Sequence, residues 1–157
     1  MKFFLPIMLL SLVMGSLPAQ EAGAKSPPTT ADFKTAGDRL LTKLEEFVTV
    51  LETATDKATA ETAKPKLMKL NREIETLSKA AAALGEPSAA TRAALEKDPQ
   101  TQQRAETFMA KWISSSRRVG LTPEVLAVLQ TTLRDFQHVS QPGSGQNAES
   151  GKGTRKK

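Results

Sequence analysis

The sequence predicts an all-α protein, an up-down antiparallel bundle of about four helices with a disordered N-terminal linker and a disordered C-terminal tail. Three observations predict this fold. Apolar residues recur every three or four positions over most of residues 32–138, which is the period of one helix face. No segment shows the period of two that is typical of a half-buried strand. Glycine and proline separate the helical stretches by short connections, which favour antiparallel neighbours.

Residues 1–19 have the layout of a secretory signal peptide. A single lysine precedes an apolar run over residues 3–14, and small residues lead to a predicted cleavage after Ala19, or alternatively after Ala22 or Ala24. A membrane-spanning helix needs about 20 apolar residues, and this stretch is shorter and is interrupted by Pro6, Gly15 and Pro18. We therefore expect an exported protein, periplasmic or secreted, without stable membrane insertion once the signal is removed.

The first helix follows a linker at residues 20–31, which is polar, contains proline and has no apolar period, so that we predict it to be disordered. Asp32 is a suitable N-cap, and the helix is predicted to extend to about Thr53. Its inward stripe, widened by Leu41 and Val48, consists of Phe33, Gly37, Leu40, Leu44, Phe47 and Leu51.

The second helix contains the longest heptad pattern of the chain. The apolar positions are Ala60, Ala63, Leu67, Leu70, Ile74, Leu77, Ala81 and Leu84. Pro65 interrupts this pattern, and a proline in a helix interior costs about 3 kcal/mol. The helix is therefore predicted either to begin at Lys64–Pro65 or to kink there, and to end at Gly85, with Pro87 two residues beyond.

Ser88 is the predicted N-cap of a short alanine-rich helix over residues 89–97, and Asp98–Pro99 marks the start of the next helix. The predicted inward stripe of that helix, which ends before Gly120, is Ala105, Phe108, Met109, Trp112, Ile113, Ser116 and Val119.

The last helix begins at Thr122–Pro123–Glu124, a cap followed by proline and an acidic residue. Its predicted inward face is Leu126, Leu129, Leu133 and Phe136, with Val125 and Val128 beside them. After His138 the apolar period ends. Residues 139–157 are rich in glycine and serine and are predicted to form a disordered basic tail. The domain boundaries are therefore 1–19, 20–31, 32–138 and 139–157.

The composition excludes several kinds of chemistry. The chain has no cysteine, no tyrosine and one histidine, which excludes disulfides, zinc–thiolate and iron–sulfur sites and thiol nucleophiles. The absence of cysteine in a small exported protein also favours a bacterial source. The net charge of +5 owes much to the tail. We therefore expect no specific binding of nucleic acid, and at most weak contact of Thr154–Lys157 with anionic surfaces.

The histidine offers two candidate sites, neither of which is complete. Asp135 and His138 are three residues apart and can face one way on a helix, but a carboxylate-bridged metal pair needs a second histidine. A haem held by His138 would need Met68 or Met109 as its second ligand. Met109 shares its stripe with Trp112, which favours a role in the core. We predict no metal or cofactor.

Neither hydroxyl nor carboxylate residues form a catalytic constellation. Ser114–Ser116 have no neighbouring base, and we expect them at a helix–helix contact. The acidic residues Glu45, Glu46, Glu73 and Glu75 lie at adjacent or alternate helical positions, which point apart. We predict no catalytic residues.

The sequence thus predicts a small exported, non-catalytic helical bundle that acts through protein–protein contact, with an unknown protein partner or by self-association. The alternative is a periplasmic ligand-binding bundle that holds haem, a metal or an apolar small molecule in its core.

Overall fold

The computed structural model describes residues 27–140, with side chains for residues 27–139. This part of the chain forms helices α1 to α5 and no strand, which confirms the all-α helical bundle. The helices are α1 Thr30–Thr53, α2 Lys57–Ala82, α3 Ala89–Glu96, α4 Pro99–Leu121 and α5 Pro123–Ser140. The predicted signal peptide, most of the predicted linker and residues 141–157 of the predicted tail lie outside the described residues.

The start of α1 differs from its prediction. The N-cap is Thr29, not Asp32, and the helix begins at Thr30, inside the segment predicted as linker. The Thr29 hydroxyl accepts a hydrogen bond from the backbone N–H of Asp32, and the Asp32 carboxylate accepts one from the backbone N–H of Thr29 at 2.7 Å. This reciprocal capping box satisfies two backbone donors, whereas Asp32 as N-cap would satisfy fewer. The Thr-x-x-Asp spacing of Thr29 and Asp32 is the sequence pattern that indicates this capping box.

Helix α2 begins at Lys57 and passes through Pro65, so that of the two predicted alternatives the start at Lys64–Pro65 is wrong and the helix continues through the proline. Asp56 and Thr59 form a second capping box at its N-terminus. The Pro65 side chain is exposed. Gly85, whose φ of +77° lies in the left-handed region that favours glycine, follows the end of the helix as predicted.

Helices α1, α2, α4 and α5 form the bundle. Helix α1 packs against α2 and α4, and α5 packs against the same two helices from the other side. At one end, Lys34 near the start of α1 pairs with Asp98 at the start of α4. At the other end, Arg118 near the end of α4 contacts Leu51 near the end of α1. Helices α1 and α4 are therefore parallel.

The connection between α2 and α4 explains this parallel pair. Residues 83–98 carry the chain across the end of the bundle to the far side of α1, instead of turning back beside α2. Within this connection, α3 packs against α1, and the hydroxyls of Thr30 and Thr91 lie 3.1 Å apart. Chain direction alternates along the sequence as an up-down bundle requires. Only the pairs α1–α2 and α4–α5 are antiparallel neighbours, however, because this connection crosses the bundle.

The core draws most of its residues from α1 and α2, where the predicted stripes are largely buried. Its centre is aromatic: the rings of Phe47 and Phe136 stack with centroids 4.3 Å apart, and Trp112 lies 4.8 Å from Phe136. The buried apolar cluster consists of Leu41, Leu44, Phe47, Val48, Leu51, Ala54, Ala60, Ala63, Leu67, Leu70, Ile74, Phe108, Val119, Val125, Leu129 and Phe136.

The stripes of α4 and α5 are rotated from their predictions. Ile113 is exposed and Ser115 is buried, while Leu126 is exposed and Thr132 is buried. Both helices carry more apolar positions than their two packing partners cover. The neighbouring helices therefore decide which part of each apolar arc faces inward, and hydrophobicity alone does not.

Candidate functional site

One surface of the bundle presents large apolar side chains to solvent. We call it the outer face of α4. Its exposed members recur every three or four positions on the side of the helix opposite the core: Gln103, Glu106, Ala110, Ile113, Arg117 and Leu121. Ile113 is 61% exposed and Leu121 is 74% exposed, the highest values among large apolar side chains of the described residues.

A shallow, open groove runs along this face. Its lining includes the apolar residues Ala110, Ile113 and Leu121 and the polar residues Ser114 and Arg117. Because small Ala110 and Ser114 stand next to large Ile113, the surface offers both a projecting side chain and a recess. That relief suits the side chains of another helix.

The two charged residues of the outer face have no ionic partner among the residues that the structure describes. Glu106 and Arg117 form no ion pair there, since their neighbours three and four positions away along the stripe include Ala110, Ile113 and Leu121. Both charges can therefore pair with a partner without the loss of an ion pair to another described residue.

The side of α4 that faces α1 is different, because its charges are paired. Arg104 donates hydrogen bonds from Nε and Nη2 to the two carboxylate oxygens of Glu45, at 3.0 and 2.7 Å. This bidentate contact raises the pKa of Arg104 above its usual value. Lys111 lies 3.7 Å from Glu52 in the same interface. We call this set of contacts the α1–α4 ionic seam; it holds α4 in place.

A second groove lies between α1 and α2. Its one clearly exposed large apolar side chain is Met68, at 41%. Charged residues surround it, and Lys43 pairs with both Glu46 and Glu73, at 2.8 and 3.2 Å. The hydrogen bond to Glu46 raises the pKa of Lys43. These pairs occupy Lys43 and Glu73, and the groove exposes less of its one large apolar side chain than Ile113 or Leu121 exposes, so it is a weaker candidate than the outer face of α4.

The structure does not bring the histidine-based candidates together. His138 and Asp135 are both exposed on the last turns of α5. Among the described residues, no group of three histidine or acidic side chains is close enough to hold a metal ion. Met109 is partly buried against the core beside Trp112, and Met68 is on α2 in the open groove.

The serine and acidic candidates have structural partners. Ser114 donates to the backbone carbonyl of Lys111 at 2.9 Å, and Ser115 is buried. The acidic residues are dispersed along α1 and α2, where each lies against a cation: Glu45 on Arg104, Glu46 on Lys43, Glu73 on Lys43 and Lys69, and Glu75 on Lys79. Thr154–Lys157 lie outside the described residues.

Sequence reasoning missed the outer face of α4 because it assigned Ile113 to the core. The available signal was that Glu106, Ala110, Ile113 and Arg117 form their own helical stripe. In the described region, no helix has the length and apolar character needed to cross a membrane. Comparison with models of known protein families, with curated proteins and with solved structures gives no match.

Proposed function

We propose that this protein is an exported, non-catalytic helical bundle that acts by binding protein at the outer face of α4. The observation that carries the proposal is the exposure of Ile113 and Leu121 on one stripe of a well-anchored helix. Neither side chain contributes to the core, so their apolar character is not explained by folding.

The physical argument is the free energy of burying these side chains. Removing apolar surface from water contributes about 25 cal/mol per Å², so a contact that buries Ile113 and Leu121 gains free energy from both exposed side chains. The α1–α4 ionic seam and the buried inner side of α4 fix the helix before binding. Little conformational entropy is therefore lost when a partner binds.

The alternative, a bundle that holds a ligand in its core, has less support. Phe47, Trp112 and Phe136 fill the centre of the bundle with their rings in contact. A haem or an apolar molecule placed there would have to displace them. An absorption spectrum and metal analysis of protein from its native compartment would detect such a ligand, and a stoichiometric chromophore or metal would favour this alternative.

Photo-crosslinking in the native compartment tests the proposed binding face. A photoreactive amino acid at position 113 should give covalent adducts of discrete mass with protein. The matched control places the same amino acid at position 62, because Thr62 is also exposed but lies on α2, away from the outer face of α4. Adducts at position 113 that do not exceed those at position 62 would contradict the proposal.

A further inference from the structure

We infer that the partner of the outer face of α4 is a second copy of this chain. In this dimer two α4 helices pack antiparallel about a two-fold axis, with Glu106 of each copy opposite Arg117 of the other. The inference rests on the proposed function, because it uses the same face. It adds the identity of the partner, the direction of the helices and their register.

The spacing of Glu106 and Arg117 along α4 determines the register, that is, which residues of the two helices face each other. Glu106 and Arg117 are eleven residues apart, which is about three helical turns or 16.5 Å. They therefore lie on one straight stripe, on either side of Ala110 and Ile113. A two-fold axis at the middle of that stripe, between Lys111 and Trp112, brings both charge pairs of the dimer together at once.

The uncharged positions between them fit the same register. Ala110 falls opposite Ile113 of the other copy, so that a methyl side chain faces a large aliphatic one. Gln103 falls opposite Gly120, which has nothing within 4 Å of the position a Cβ atom would take. The central apolar contacts are thus flanked by two ion pairs, an arrangement common at protein interfaces.

The charges disfavour other registers of the same face. An antiparallel register that sets Ile113 opposite Leu121 of the other copy places Arg117 of one copy against Arg117 of the other. A parallel pairing in register places Glu106 against Glu106 and Arg117 against Arg117. Like charges in direct opposition weaken association and so select against these arrangements. Of these arrangements, the Glu106–Arg117 register alone pairs the two charges of the outer face of α4, which have no ion pair with other described residues.

One helix from each copy gives a small interface. Interfaces below about 1,200 Å² of buried area are typical of weak, transient contacts. We therefore expect a reversible dimer whose dissociation constant lies in the micromolar range, and not a permanent one.

Sedimentation velocity over a concentration series tests the inference on the full exported chain. The wild-type protein should change from monomer to dimer as its concentration rises. Glu106→Arg and Arg117→Glu should each raise the dissociation constant at least about tenfold, because each places two like-charge pairs in the interface. The double variant should dimerise again, since it restores both ion pairs with their signs exchanged.

Mixing the two single variants tests whether opposite charges at positions 106 and 117 restore association. A chain with Glu106→Arg and a chain with Arg117→Glu should form a heterodimer at concentrations where each alone is monomeric, because both ion pairs are then restored. Because one chain then carries two arginines at these positions and the other two glutamates, this result shows that both positions lie in the interface, whereas rescue by the double variant tests the antiparallel register. Failure of both the mixture and the double variant to dimerise would overturn the inferred register.

Two controls separate binding from folding and from net charge. Ile113→Ser should prevent dimerisation and leave the thermal transition unchanged, because Ile113 is outside the core. Arg134→Glu changes net charge as Arg117→Glu does, but on the exposed side of α5, and should still dimerise. A wild-type chain that stays monomeric while position 113 crosslinks a different protein would overturn the dimer and leave the proposed function standing.

Discussion

Arg118 of α4 caps the C-terminus of α1 by donating hydrogen bonds from Nη2 to the carbonyl oxygens of Leu51, at 3.0 Å, and Glu52, at 2.9 Å. The last carbonyl groups of a helix have no donors within the helix, and α1 has no basic residue in its last turn. Helix α4 therefore supplies the positive charge that a helix C-terminus favours. The contact requires the two C-terminal ends to lie together, which the parallel arrangement of α1 and α4 provides.

Replacing Arg118 with Met should lower the free energy of unfolding by about 1–3 kcal/mol, because two hydrogen bonds from a charged donor are lost while the apolar stem is kept. Urea unfolding followed by the fluorescence of Trp112, the one tryptophan of the chain, measures the change. Arg117→Met is the matched control, because the neighbouring side chain is exposed and makes no ion pair in the described part of the chain. Equal stability of the two variants would contradict the capping role.

A buried amide lies between α2 and α5. Asn71 donates from Nδ2 to the backbone carbonyl of Thr132 at 2.9 Å, while its Oδ1 is buried without a hydrogen-bond partner among the described residues. Asn71→Leu should raise the free energy of unfolding by about 1 kcal/mol, because it removes an unsatisfied buried acceptor and keeps the branched shape and the number of side-chain heavy atoms. Asn71→Ala is the control and should be destabilising, since it leaves a cavity. Urea unfolding of both variants checks the prediction; a less stable Leu variant would contradict it.

The sequence was sufficient to predict the regular elements of the fold and most of their ends. The caps at Ser88 and Asp98 are confirmed, because capping follows from local hydrogen bonding. The stripe of α1 was also mostly right, since Phe33, Leu44, Phe47 and Leu51 are buried. Both results depend on residues close together in the chain.

Features that depend on distant contacts were not predictable in the same way. Thr132 is buried, and Asn71 of another helix donates a hydrogen bond to its backbone carbonyl; no hydrophobic pattern contains that information. The exposure of Ile113 depends on which neighbours α4 receives after residues 83–98 cross the bundle. The candidate binding face was missed for this reason, because its position follows from the helix arrangement and not from its composition.

Stability should fall in acid because of carboxylates that are hydrogen-bonded in the folded state. The hydrogen bond from Lys34 lowers the pKa of Asp98 below 3.8, its ordinary value. A lowered folded-state pKa contributes stability that is present above pH 3.8 and is lost as the pH falls through the folded value. The urea midpoints of the wild-type protein and Asp98→Asn should therefore differ at pH 6 and converge towards pH 2.

The partner side of this pair gives the control. Lys34→Met removes the cation that lowers the pKa of Asp98, so its urea midpoint should also approach that of the wild-type protein as the pH falls below 3.8. A difference between Asp98→Asn and the wild-type protein that stays constant from pH 6 to pH 2 would show that the Lys34 contact does not stabilise the fold.

The core position Ile74 gives the most severe predicted change. Ile74 is 1% exposed, on the inward side of α2. Ile74→Asp places an uncompensated charge there, which costs about 3–5 kcal/mol, and removes a buried aliphatic side chain, which costs about 2–5 kcal/mol. The sum of these two costs is comparable to the whole free energy of unfolding of a typical domain, which is about 5–15 kcal/mol. Circular dichroism should therefore show no cooperative thermal transition, whereas Thr76→Asp, at an exposed position of the same helix, should retain one. A normal transition in Ile74→Asp would mean that α2 does not pack as described.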